Sequence, residues 1–96
     1  MSADPTEAVE IKIDETDINF DRARRSADEI AKEKMKDPLL IAWYDGIAGI
    51  GHPDVHECHD KPGWMTYAES RGGTLTINVN DAKYIFIYSD TSLNDT

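Results

Sequence analysis

The sequence predicts an α+β domain: a mostly antiparallel four-stranded sheet with one long helix on one face. Three observations carry this expectation. The stretches "VEIKI" and "TLTINVN" alternate apolar and polar residues with the period of a half-buried strand. Phe20, Ala23, Ala27, Ile30, Ala31 and Met35 recur at helical spacing and form one apolar stripe. "LLIAWYD" and "KYIFIY" are apolar on both faces, as strands covered from both sides must be.

The elements are expected in the order β-α-β, a long loop with a short helix, then β-β. The first strand is Val9 to Ile13, with Val9, Ile11 and Ile13 inward. "DETDIN" supplies helix-start residues, with Asp17 or Asn19 as the N-cap. The helix runs to about Lys36, its last-turn lysines facing the negative end of the helix dipole. Pro38 forbids continuation, and Asp37 before it is pushed out of the helical region. Leu39 to Tyr44 forms a central strand. Residues 45–63 form the long loop, and Trp64 to Arg71 a short helix capped by Gly72. The last two strands form a hairpin whose turn residues Asn80 and Asp81 tolerate positive φ. Residues 1–96 are expected to be a single domain with flexible tails at 1–8 and 91–96.

Charge narrows the partners. A formal charge of −9 repels phosphate backbones. The bases Arg22, Arg24, Arg25, Lys32, Lys34 and Lys36 are interleaved with Asp21, Asp28, Glu29 and Glu33, as on a solvated helix face. No nucleic-acid partner is expected. The apolar run Leu39 to Tyr44 is too short to cross a bilayer, so no membrane partner is expected either. "MSADPTEA" lacks the basic and apolar regions of a signal peptide, and a single cysteine cannot form an internal disulfide. The expected location is cytoplasmic.

The phrases "INFDRARRSADEIAKEKMKDPLLIAWYD" and "PGWMTYAESRGGTLTINVNDAKYIFIYSD" resemble a small family of single-domain prokaryotic proteins of unknown function, known mainly as structural-genomics targets. The resemblance implies a compact cytoplasmic α+β domain and brings no substrate, cofactor or catalytic residue.

The densest chemistry lies in "GHPDVHECHDKPGW", which holds His52, His56, Cys58 and His59. Imidazole and thiolate are ligands of choice for zinc and similar divalent transition metals, and Asp54, Glu57 and Asp60 could hold an imidazole in place. The spacing matches no standard zinc module, so a solvated loop is the competing reading, and no cofactor is required. Cys58 with a neighbouring histidine would be a nucleophile and base, but adjacent residues on one loop seldom meet at the needed angle. "DGIAGIG" carries spaced glycines after a strand, yet His52-Pro53 follows where a phosphate loop needs a helix start. With no nucleophile–base–orienter set, the sequence favours a small soluble binding or assembly module over an enzyme. One long helix cannot cover both faces of a sheet whose central strands are apolar on both sides. The 45–72 region or a second copy must cover the other, and a homodimer is expected.

Overall fold

The computed structural model describes residues 7–14, 16, 18–52, 63–70 and 72–91. The fold is α+β, but the sheet is mixed and has five strands rather than the expected four. In chain order the elements are β1 (Glu7–Ile11), α1 (Phe20–Lys34), β2 (Pro38–Asp45), β3 (Ile50–His52), α2 (Gly63–Ser70), β4 (Leu75–Val79) and β5 (Tyr84–Asp90). Across the sheet the order is β1-β4-β5-β2-β3. β1 pairs with β4 in parallel, while β4 with β5, β5 with β2, and β2 with β3 are antiparallel.

The two departures have separate causes. β3 lies inside the stretch read as a long loop, and three residues with a central glycine are too few to show alternation. It forms because the turn before it closes: the Asp45 carboxylate accepts the Ile47 and Ala48 N–H groups at 3.0 and 3.1 Å. Gly49, at φ 73°, then donates to the Asp45 carbonyl at 2.8 Å. The parallel pairing follows from α1, a helical crossover that returns the chain in its original direction. β1 and β2 therefore run the same way, and the β4–β5 hairpin is inserted between them.

α1 begins at Asn19, whose side chain caps the helix by accepting the Arg22 N–H at 2.8 Å. It ends one turn before Pro38, with the Met35 N–H bonded to the Ala31 carbonyl at 2.8 Å. Ala23, Ala27 and Ala31 are fully buried, and their small side chains let the helix lie close on Leu75, Ile77, Val79, Phe86 and Tyr88. Phe20 reaches over Trp43 edge-on, with ring centroids 4.7 Å apart.

A second, smaller core lies on the opposite face, where Trp64 and Ala68 of α2 pack on Ala42 and Ile87. Trp64 stacks on Tyr44 at 5.3 Å. Its ring occupies the space where any residue but glycine at position 51 would carry a Cβ atom. Part of the second face is thus covered from within the chain.

The hairpin turn is longer than the Asn80-Asp81 pair alone suggests, spanning residues 80–83 between the paired Val79 and Tyr84. Asn80, Asp81 and Ala82 all have positive φ, at 52°, 58° and 69°. Asn80 is only 5% exposed and pins the segment after β1. Its N–H donates to the Ile11 carbonyl at 2.9 Å, its Oδ1 accepts the Ile13 N–H at 2.7 Å, and its Nδ2 donates to the Ile13 carbonyl at 2.9 Å. At the other end of the sheet Thr91 is tied to Asp37, its N–H bonded to the carbonyl at 2.9 Å and its hydroxyl to the carboxylate at 2.6 Å. No helix among the described residues is long and apolar enough to cross a membrane.

Candidate functional site

Of the four residues read as possible metal ligands, His52 is described, and His56, Cys58 and His59 lie outside the described residues. His52 is the cross-strand partner of Trp43, and its ring stacks on the indole at 5.5 Å with 15° between planes. The imidazole is exposed at the end of β3. Among the described residues no three His, Cys, Asp or Glu side chains converge as a metal site would need. Asp45 holds the β2–β3 turn, and Cys58, read as a possible nucleophile, is outside the described residues.

Two recesses are formed among the described residues. The first, of about 220 Å³, opens on the second face beside α2. Trp64, Met65 and Ala68 form its helical wall, Gly73 closes one end, and Thr76, Asn78, Ile85 and Ile87 form its floor. Asn78 is steadied at the rim by donating to Glu10 on β1 at 2.8 Å. Among the described residues none of the lining side chains is charged.

The second recess, of about 240 Å³, lies on the α1 side between the helix and the start of β2. Arg24, Asp28 and Lys32 line it at one-turn intervals along α1, opposite Pro38, Leu39 and Leu40. Tyr88 rises from β5 at its base and donates its hydroxyl to Asp28 at 2.5 Å. Arg24 approaches the same carboxylate at 3.8 Å.

Burial pushes the Tyr88 phenol far above its ordinary value of 10.0, and the bond to Asp28 pushes it further. The folded chain therefore keeps a proton that the unfolded chain releases above about pH 10. This contribution to stability is complete below that pH and is lost as pH rises beyond it, by up to about 1.4 kcal/mol per pH unit. Tyr84 is shifted in the same direction, by burial and by the charge of Asp45. Urea unfolding between about pH 9 and pH 11 should show a shallower alkaline decline for Tyr88→Phe than for the unmodified chain. Equal declines would mean that the phenol is not held neutral by the fold.

Sequence reasoning missed both recesses and the Asn80 clamp. The Tyr88–Asp28 pair joins residues 60 positions apart and the Asn80–Ile13 pair residues 67 apart, so no local pattern announces either. The one readable signal was Asn80 itself, a turn former placed between two strands.

A family model described as a domain of unknown function (DUF5619) matches residues 6–88. The chain belongs to this family. An uncharacterised protein of Archaeoglobus fulgidus is 36% identical to this DUF5619 chain over 78 residues, covering 80% of this chain and 84% of the relative. The fold also matches a crystal structure of a protein from Archaeoglobus fulgidus DSM 4304 with a TM-score of 0.75 and 27% identity. That match covers 88% of this chain and 94% of the other. The sequence resemblance to prokaryotic proteins of unknown function is therefore correct, and DUF5619 membership supplies a fold without a substrate.

Proposed function

We propose that this DUF5619 chain is a small binding and assembly module that pairs with a second copy through the half-covered second face of its sheet. The observation that carries this reading is the groove beside α2, whose described lining holds no charged side chain, on a chain of formal charge −9. Two identical acidic chains repel one another, and the repulsion is least where uncharged surfaces meet. The groove has the composition such a contact needs, with Ile85 and Met65 half-exposed and Thr76 and Asn78 as uncharged polar partners at its edge. A stable contact would extend beyond the groove to about 800 Å² per copy.

Ile85→Glu would place a carboxylate in the groove of each copy. Sedimentation should find this variant monomeric at concentrations where the unmodified chain is dimeric, with hydrogen-exchange protection of α1 retained. Identical sedimentation of the two proteins would count against this face.

The exposed imidazole of His52 supports a second reading, zinc-type metal binding completed by His56, Cys58 and His59. Ligand protonation would weaken such a site below about pH 6. His56→Ala and Cys58→Ser should each abolish stoichiometric zinc while the fold persists. Protein that dialyses metal-free, and melts at one temperature with or without zinc, would contradict it.

A further inference from the structure

The recess on the α1 side is lined by charges of both signs, but they are not balanced. Asp28 accepts from Tyr88 through one oxygen and faces Arg24 through the other, so its carboxylate is engaged on both sides. Lys32, one turn further along α1, is exposed, and no carboxylate among the described residues lies within ion-pair distance of it. The neighbouring Lys34 differs, since it is held by Glu7 at 2.6 Å. Across from Lys32, Pro38 and Leu40 are half-buried and Leu39 is 52% exposed, a large apolar side chain left in water at the edge of the recess. An ammonium with no carboxylate partner among the described residues thus lies beside an apolar wall, a pairing that matches a ligand with one anionic end and one apolar end.

We propose that this recess binds a small organic monocarboxylate, its head group on Lys32 and its apolar tail along Leu39 and Leu40. Three features select that class. Lys32, without a carboxylate partner among the described residues, matches one anionic group, and Asp28 beside it repels a second. The apolar wall rewards a hydrocarbon body over a bare inorganic anion. The volume of about 240 Å³ falls below the roughly 300 Å³ at which drug-sized ligands are usually held and suits a small ligand. The site lies on the face opposite the groove assigned to assembly and does not depend on dimer formation.

Hexanoate is the probe and 1-hexanol its neutral isostere, each titrated into isotopically labelled full-length chain at low salt. Hexanoate should give saturable amide shifts confined to residues 24–32 and 38–40, with a Kd on the order of 1 mM. Hexanol should bind at least about tenfold more weakly, as should hexanoate to Lys32→Gln, because each lacks the charge-assisted contact. Leu39→Asn should weaken hexanoate as well, and both substitutions lie on exposed positions that the fold tolerates. Equal binding of hexanol, unchanged affinity in Lys32→Gln, or no saturable shift with hexanoate would each overturn the assignment.

Discussion

Asn80→Ala is expected to destabilise the chain by about 3 kcal/mol, which in a domain of this size lowers the melting temperature by well over about 10 °C. Two side-chain hydrogen bonds are lost, one from the Ile13 N–H and one to the Ile13 carbonyl, each worth about 1 kcal/mol. Alanine must also adopt the φ of 52° that asparagine tolerates, at a further cost of about 1 kcal/mol. Asn80→Gly separates the two causes, because glycine accepts that backbone but makes neither bond. It should lose about 2 kcal/mol, leaving a difference near 1 kcal/mol between the two variants. Chemical denaturation measures both. A loss below about 1 kcal/mol for Asn80→Ala would mean that the clamp between the hairpin and β1 contributes little.

Trp64→Ala is expected to cost about 3 kcal/mol or more, and its effect should be local. The indole packs α2 against the sheet, stacked on Tyr44 and fitted over Gly51. Without it, amide exchange should accelerate across α2 and β3 while α1, β4 and β5 stay protected by the larger core. Gly51→Ala reaches the same place from the other side, since its Cβ would overlap the indole. The two substitutions should therefore be far from additive: Gly51→Ala costs stability in the unmodified chain and almost none once Trp64 is alanine. Additive losses would show that the indole does not rest on β3.

The larger core was legible in the sequence because its signals are periodic. The alanine stripe of α1, the alternation of Leu75, Ile77 and Val79, and the two-faced apolarity of β2 and β5 each reflect burial by a regular element. β3 was not legible, because its pairing depends on a turn closed by one carboxylate rather than on any pattern within Ile50–His52. The parallel entry of β1 escaped for a related reason, as strand direction is set by the whole crossover and not by the strand's own residues. The expected need to cover the second face was sound in part. α2 meets it over β2 and β3, and leaves Thr76, Asn78 and Ile85 of the next strands half-exposed. The histidine–cysteine segment was the most conspicuous chemistry in the sequence. His52, the residue of that set within the described chain, bears on the stacking of Trp43 as much as on any ligand.

That half-covered face is where the assembly proposal is most directly tested, by the molar mass of the untagged chain in light scattering across a dilution series at physiological salt. A pairing through the groove predicts twice the chain mass of 10.8 kDa at micromolar concentration, falling toward a single chain only on dilution. A mass of one chain at every concentration would contradict it.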